Sequence, residues 1–92
     1  MAAEPIIDYT ISDHAIFEIG RRGLKKEIID RVLKNPGQRF DVRRGRVVLQ
    51  SRIQASGREF LIRVFVDIDR QPAEVVTAYL TSKIAKYWRA ES

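Results

Sequence analysis

The first third of the chain places its apolar residues at helical spacing. Between positions 28 and 33 they follow the i, i+1, i+4, i+5 spacing of one buried stripe. This spacing predicts a helix over about residues 25–34. The Asn-Pro-Gly sequence at 35–37 ends that helix, because proline lacks a backbone donor and glycine favours turns.

An earlier helix is predicted from its end signals. Ser12 or Asp13 is a suitable N-cap, since a short polar side chain can accept a hydrogen bond from the first turn. The helix runs to about Arg22, and Gly23 ends it. Residues 6–11 form a short extended lead-in. We expect the two helices to form a short hairpin.

From Gln38 onward the apolar residues alternate, and β-branched and aromatic residues become frequent. Four strands are predicted, over residues 39–43, 46–54, 58–68 and 74–80. Turns at 44–45, 56–57 and 69–72 join them as an antiparallel meander, and a terminal helix over about residues 82–89 follows. The expected fold class is α+β: an N-terminal helical hairpin packed on a four-stranded antiparallel sheet, with a short C-terminal helix.

Length and composition restrict the classes of function. The chain has 92 residues, 45% of them hydrophobic, which supports one domain over residues 1–92. It has no cysteine and one histidine, which excludes disulfides, a thiol nucleophile and a multi-histidine zinc site. No Gly-rich phosphate loop or G-x-S-x-G motif occurs. We therefore expect no metal, no cofactor and neither kinase nor elbow-type hydrolase chemistry.

The charge balance indicates an acidic partner. Lys and Arg number 17 against 12 Asp and Glu, which gives a net charge of +5. No apolar run approaches the ~18 residues of a membrane-spanning helix, and the start lacks the basic and apolar regions of a signal peptide. We expect a cytoplasmic protein, bacterial in type, that does not bind membranes.

Alternation along the third and fourth predicted strands separates two faces. The apolar face comprises Phe60, Ile62, Val64, Val66, Val76, Ala78 and Leu80 and should cover the helices. The other face should bring together Gln50, Arg52, Arg63, Thr77 and Tyr79. A sheet covered on one side shows polar residues to water in any case. However, Arg63 lies within the most apolar strand, and a guanidinium flanked by hydroxyls suits a phosphate or a phosphoryl transition state.

The only histidine lies on the first predicted helix. His14, Glu18 and either Arg21 or Arg22 fall near one stripe of that helix. An imidazole can exchange protons near neutral pH, and Glu18 could orient it. A histidine beside an N-cap can equally serve the helix start or pack on the rim of the sheet.

Residues 39–52 form the most basic stretch, with five arginines and one acid, Asp41. The arginines are Arg39, Arg43, Arg44, Arg46 and Arg52. The stretch includes a hairpin turn that should project into solvent, where it could contact RNA phosphates or dock an acidic protein. A solvated surface without a partner is the alternative.

Both ends of the chain resemble a small bacterial family of uncharacterised domains. The opening motif reads His14-Ala15, Arg22-Gly23-Leu24, Val32-Leu33 and Asn35-Pro36. The closing motif reads Val-Val-Thr-Ala-Tyr at 75–79, Thr-Ser-Lys-Ile at 81–84 and Lys-Tyr at 86–87. That family is similar to the RelE and BrnT toxins, within the barnase, EndoU, colicin and RelE ribonuclease superfamily. The resemblance implies a RelE-like fold, metal-independent RNA cleavage and, in many members, a partner antitoxin.

Carried over by position, the resemblance points to residues in both halves of the chain. They are His14, Arg22, Arg63, Thr77, Tyr79 and Lys83. Relatives usually place a basic residue four positions after the histidine, whereas this chain has Glu18, which could orient His14 or weaken RNA binding.

The leading hypothesis is a metal-independent endoribonuclease, the toxin of a bacterial type II toxin–antitoxin pair. The RNA 2′-hydroxyl would attack the adjacent phosphate, with His14 or Tyr79 as acid or base and Arg63, beside Thr77, stabilising the phosphorane. RNA contacts are assigned to Arg22, Arg43, Arg44, Arg46, Arg52, Lys83 and Lys86. The expected partners are RNA, free or as mRNA on the ribosome, and a small acidic antitoxin.

A basic module without catalysis is the rival hypothesis. It would dock on RNA or on an acidic protein through residues 39–52 and through the tail residues Lys83, Lys86, Tyr87 and Trp88.

Overall fold

The structure is a computed structural model that describes residues 3–90, and it places them in five strands and three helices. In chain order these are β1 (Tyr9–Ile11), α1 (Asp13–Arg21), α2 (Lys26–Lys34), β2 (Gln38–Arg43), β3 (Arg46–Ala55), β4 (Arg58–Asp67), β5 (Ala73–Thr81) and α3 (Ile84–Tyr87). The α+β class is confirmed, and the predicted strands lie within two residues of the observed ones.

The strands form one mixed sheet in the order β1-β5-β4-β3-β2. Strands β2 to β5 make the predicted antiparallel meander. The prediction of a four-stranded, wholly antiparallel sheet is wrong, because β1 pairs in parallel with β5, from Tyr9 opposite Ala73 to Ile11 opposite Val75. Strand β1 thus provides hydrogen-bond partners for backbone groups at the edge of β5. The Ser12 N–H continues the pairing by donating to the Val75 carbonyl at 3.1 Å. Three residues are too few for a period to mark a strand.

The two helices start and end close to where the sequence predicts. Ser12 is the N-cap of α1, and its Oγ accepts a hydrogen bond from the Ala15 N–H at 3.0 Å. A closely packed helical hairpin is not observed, because α1 packs against β5 while α2 packs against β3 and β4. Each helix buries its stripe on the sheet, so the helices make little contact with each other.

The core lies between the helices and one face of the sheet. Its fully buried members include Ile29 and Leu33 from α2, Leu49 from β3, and Ile62 and Val64 from β4. Ile62 and Val64 are among the residues that alternation assigned to the apolar face, and Ile29 and Leu33 belong to the predicted stripe of the second helix. The opposite face carries Gln50, Arg63 and Tyr79.

A β-bulge in β5 changes one of the predicted faces. Phe65 pairs with Thr77, but Val66 pairs with Val75, so Val76 is an extra residue in the ladder. Val75 therefore turns into the core, where it is fully buried, and Val76 is only half-buried. Strict alternation predicted the reverse, because a bulge shifts the phase without leaving a signal in the apolar pattern.

The C-terminal helix is shorter than the predicted span of residues 82–89. Helix α3 covers four residues, Ile84–Tyr87, and Trp88 is already in an extended conformation. The ring of Trp88 lies against Gly37, where a Cβ atom would come within 2.9 Å of it. The segment from α3 to Arg89, termed here the C-terminal segment, thus lies on the sheet face opposite α1 and α2.

Among residues 3–90, no helix combines the length and the apolar character needed to cross a membrane.

Candidate functional site

Four polar side chains form one row across the sheet, on the face away from α1 and α2. Gln38, Gln50, Arg63 and Tyr79 stand opposite one another in the register of β2, β3, β4 and β5. The Gln50 Nε2 donates to Gln38 Oε1 at 2.8 Å, and Arg63 donates from Nε to Gln50 Oε1 and from Nη1 to the Tyr79 hydroxyl, both at 2.8 Å. This polar row confirms the predicted convergence of Gln50, Arg63 and Tyr79.

Aromatic rings surround the Arg63 guanidinium. Its Cζ atom lies 4.2 Å from the ring centroid of Tyr87, 5.3 Å from that of Phe65 and 5.9 Å from that of Tyr79. A cation over an aromatic face is stabilised by the ring quadrupole, and the planar guanidinium also stacks. None of these partners is a carboxylate. The rings therefore hold the positive charge in place without cancelling it.

The polar row also holds the C-terminal segment. Gln50 is fully buried and Gln38 is 7% exposed. The Gln50 Nε2 donates to the Tyr87 carbonyl at 3.1 Å, and the Gln38 Nε2 donates to the Arg89 carbonyl at 2.7 Å. The Arg89 N–H returns a hydrogen bond to Gln38 Oε1 at 3.2 Å. Two buried amides thus fix both the orientation of Arg63 and the position of the chain that carries Tyr87.

An open groove of about 370 Å³ lies beside Arg63. Its lining comprises Phe40, Asp41, Val42, Val48, Arg63, Phe65, Lys86, Tyr87 and Arg89. The lining thus includes three cations, three aromatic rings and one acid, Asp41. Cations contact phosphates and aromatic rings stack on bases, so this combination is typical of single-stranded nucleic-acid binding.

Tyr87 is the group in this groove whose ionisation is perturbed. The Tyr79 hydroxyl and the Lys86 ammonium stabilise its phenolate and lower the pKa of Tyr87, and the charge of Arg63 adds to the effect. The Lys86 Nζ lies 5.3 Å from the centroid of the Tyr87 ring. A phenol with a lowered pKa is a better proton acceptor near neutral pH than an ordinary tyrosine.

His14 does not join this site. It is exposed on α1, which packs on the opposite face of the sheet from Arg63. Glu18 does not orient it either, because its carboxylate lies 2.6 Å from Arg21 and 3.4 Å from Arg22. The hydrogen bond from Arg21 lowers the pKa of Glu18. The hypothesis that His14 acts together with Arg63 is therefore wrong for this fold.

Arg22 and Thr77 contact each other at β5. The Arg22 Nη1 donates to Thr77 Oγ1 at 3.2 Å and to the Ala78 carbonyl at 2.9 Å. Arg22 thus supplies a hydrogen bond to the edge of β5 at a position that the short strand β1 does not reach. Thr77 stands opposite Phe65 and therefore shares the face of Tyr79 and Arg63, as predicted, but its hydroxyl accepts a hydrogen bond from Arg22.

Two arginines of the basic stretch are held by acids. Arg46 donates to both carboxylate oxygens of Asp67, from Nε at 2.6 Å and from Nη2 at 3.2 Å. Arg52 donates to Glu59 at 3.0 Å, and its Cζ lies 5.4 Å from the Trp88 ring. The charge of Arg46 is therefore neutralised by Asp67, while Arg52 shares the face of Arg63.

The other predicted RNA contacts are accessible. Arg43 and Arg44 are exposed at the turn between β2 and β3, and Lys83 and Lys86 are exposed beside α3. Of these four, only Lys86 lines the groove of Arg63.

Comparisons of the chain with protein-family models, curated proteins and solved structures gave no match. Within the described part of the chain, no three His, Asp or Glu side chains are grouped so that they could hold a metal ion.

Sequence reasoning missed Gln38, Arg89 and the position of Tyr87 over Arg63. The available signal was the register: once β2 pairs with β3, Gln38 must stand opposite Gln50. Tyr87 comes from a separate element, and no spacing along the chain relates it to residue 63.

Proposed function

We propose that this protein is a metal-independent endoribonuclease related to the RelE and BrnT toxins. The observation that carries the proposal is the fixed, uncompensated guanidinium of Arg63 beneath Tyr87, at the side of a basic, aromatic groove. Arg63 is placed to stabilise charge on a phosphorane, because its Nη2 group is not used by Gln50 or Tyr79.

In this proposal Tyr87 is the proton acceptor, in place of the His14 or Tyr79 expected from the sequence. In the proposed reaction the RNA 2′-oxygen forms a bond to phosphorus and its proton passes to the Tyr87 phenolate. The bond from phosphorus to the 5′-oxygen breaks, and that oxygen takes a proton from the Lys86 ammonium. The products are a 2′,3′-cyclic phosphate and a 5′-hydroxyl, and the phenolate and ammonium are restored by proton exchange with water.

The same proposal includes a toxin–antitoxin pair in a bacterial cytoplasm. It is supported by the sequence motifs at both ends of the chain and by the net charge of +5, which suits an acidic neutralising protein.

A cleavage assay on end-labelled RNA in the presence of EDTA tests the proposal. We expect fragments with 2′,3′-cyclic phosphate ends. Arg63→Ala should slow cleavage by about 100-fold or more, as removal of one transition-state donor does elsewhere. Tyr87→Phe should slow it comparably, since it removes the proton acceptor. Circular dichroism would verify that each variant is folded.

Arg31→Ala is the matched control, because Arg31 is exposed on α2, on the other side of the sheet. It removes one positive charge and should leave the rate unchanged. Intact RNA with the wild-type protein, both alone and on translating ribosomes, would refute the ribonuclease. Cleavage that persists unchanged in folded Arg63→Ala would refute this site.

A non-catalytic RNA-binding module is the second candidate, and the C-terminal segment favours it. The Tyr87 ring centroid lies 4.2 Å from the Arg63 Cζ and covers the guanidinium. Two nitrogens of Arg63, Nε and Nη1, already donate to Gln50 and Tyr79. In this case the groove would bind single-stranded RNA through Lys86, Arg89 and the rings without cutting it. Salt-dependent RNA binding with no cleavage would support it.

A further inference from the structure

A second surface lies on the helix side of the sheet, away from the groove of Arg63. Two neighbouring cavities, of about 180 and 240 Å³, share one wall residue, Leu24. The first is lined mainly by Ile11, Ile16 and Ile19, and the second mainly by Ile28, Ile53 and Leu80. Together they are termed the Leu24 groove. It follows from the packing of the helices, because α1 and α2 settle on different strands and leave a gap between them.

The Leu24 groove is apolar and open to solvent. Ile16 is 43% exposed and Leu80 is 37% exposed, and next to Ile16 on α1 the ring of Phe17 is 66% exposed. Contiguous exposed apolar groups of this kind mark interaction sites in small proteins. A cavity of about 150 Å³ lined by aliphatic residues accommodates a benzene-sized group, so each cavity can receive one apolar side chain.

The rim of the Leu24 groove is basic. Leu24 lies within the sequence Arg-Arg-Gly-Leu-Lys-Lys at 21–26, with two basic residues on each side. Arg21 and Arg22 are bound to Glu18, whereas Lys25 and Lys26 are exposed and no described acid lies within ion-pair distance of them. Lys26 borders the first cavity and Lys25 the second. Each apolar cavity thus has a free ammonium group at its edge.

We propose that the Leu24 groove docks a segment of an acidic protein. Two apolar side chains of that segment fill the cavities on either side of Leu24, and its carboxylates face Lys25 and Lys26. The charge pattern is complementary to an acidic segment and opposes a second copy of this chain, whose groove carries the same lysines. Phosphates would match the rim, but they would leave the apolar cavities unfilled, so RNA fits this surface poorly. The proposal does not depend on ribonuclease activity.

Fluorescence anisotropy with labelled synthetic peptides tests this proposal. The probes are short peptides that each carry two leucines at a different spacing and glutamate elsewhere. Control peptides carry serine in place of leucine, and a labelled single-stranded RNA oligonucleotide is the polyanion control. We expect at least one leucine peptide to bind, and its serine counterpart to bind about tenfold more weakly, because the leucine side chains lose their burial.

Substitutions assign the binding to the groove. The double variant Lys25→Glu/Lys26→Glu and the single variant Ile16→Ser should each weaken peptide binding about tenfold. Arg43→Glu/Arg44→Glu changes the net charge equally at the distant β2–β3 turn and should alter peptide affinity by less than about twofold. All these side chains are exposed, so the fold should survive. Amide NMR shifts on peptide addition should cluster around Leu24.

Several results would overturn the docking site. They are the absence of binding by any leucine peptide, equal binding of the serine peptides, and shifts that cluster around Arg63. Tighter binding of RNA than of the peptides, if Lys25→Glu/Lys26→Glu abolishes it, would reassign the surface to nucleic acid. A dimer in sedimentation that Ile16→Ser dissociates would show that a second copy occupies the groove.

Discussion

At the scale of single residues, Gln50 is the most informative position. It is fully buried, and its amide contacts Gln38, Arg63 and the Tyr87 carbonyl at once. Its burial is tolerated because every polar atom of the amide has a partner. In the sequence it looks like one more polar residue on a half-exposed strand, since only the partners from β2, β4 and α3 reveal its role.

Replacing Gln50 by leucine should therefore destabilise the fold. Gln50→Leu leaves the Arg63 Nε and the Tyr87 carbonyl without their partner, which should cost about 1–3 kcal/mol in the free energy of unfolding. Urea denaturation would measure it. Gln54→Leu is the matched control, because Gln54 lies exposed on the same strand and should change stability by less than about 0.5 kcal/mol. Equal effects of the two substitutions would show that the buried amide has no special role.

The pKa values of Tyr9 and Tyr87 should depart from that of an ordinary tyrosine in opposite directions. Burial, with the hydrogen bond from the Tyr9 hydroxyl to Asp30, raises the pKa of Tyr9 from 10.0 to about 12. Folding stability from Tyr9 is thus complete below pH 10 and is lost as pH rises through about 12. Tyr87 behaves conversely, because its pKa is lowered in the folded protein. Its contribution to folding stability is present above the pKa of the unfolded chain and is lost as pH falls through the pKa of the folded protein.

Ultraviolet absorbance of tyrosinate checks this order. We expect Tyr87→Phe to remove a tyrosinate that forms at lower pH than the one that Tyr9→Phe removes. The two variants control for each other, because each deletes one hydroxyl. Ionisation of Tyr9 and Tyr87 at the same pH would contradict the environments described for both residues.

At the scale of secondary-structure elements, the register between strands determines which side chains meet. Arg46 and Asp67 stand opposite each other at one end of β3 and β4 and form a bidentate ion pair. The hydrogen bond from Arg46 lowers the pKa of Asp67, which is 6% exposed. The pair stabilises the register of the two longest strands, and the charge of Arg46 is neutralised within it.

Asp67→Asn should weaken this pairing and change the response to acid. We expect a loss of about 1–2 kcal/mol in unfolding free energy near neutral pH, because Arg46 keeps a partner but loses its counter-charge. Since the carboxyl pKa is lowered, its stabilisation is present above the unfolded pKa and lost as pH falls through the folded value. As pH falls below about 5, the unfolding free energy of the variant should therefore decrease less than that of the wild type. Urea denaturation at a series of pH values measures both. Asp41→Asn, at an exposed position, is the control and should change the unfolding free energy near neutral pH by less than about 0.5 kcal/mol.

At the scale of the whole molecule, the two faces of the sheet have different chemistry. The C-terminal segment partly covers one face and leaves a basic, aromatic groove, whereas the helices cover the other and leave an apolar cleft with a basic rim. The net charge of +5 matches the acidic partner proposed for each surface.

If RNA binds as proposed, the exposed hairpin turn should contribute to its salt dependence. Each phosphate contact with single-stranded RNA adds about 0.7 to the slope of log Kd against log salt concentration. Arg43→Ala/Arg44→Ala should therefore lower that slope by about 1.4 if both side chains contact phosphates. Filter binding over a range of salt concentrations measures it, with Arg31→Ala as the control. An unchanged slope would place the RNA elsewhere.

The sequence by itself determined the order of the elements, the α+β class, the caps and turns, and the apolar positions under the helices. These depend on local backbone preferences and on periodic burial, which neighbouring residues settle. It also indicated that Gln50, Arg63 and Tyr79 share a face, because their strands are consecutive and regular.

Only the tertiary structure decided the rest. The parallel pairing of β1, the bulge at Val76 and the return of Tyr87 over Arg63 all join residues that are distant along the chain or out of phase with it. Their free energies come from contacts formed after the sheet has assembled, so no local pattern records them. For the same reason His14, the one histidine of the chain, lies on the other side of the sheet from Arg63.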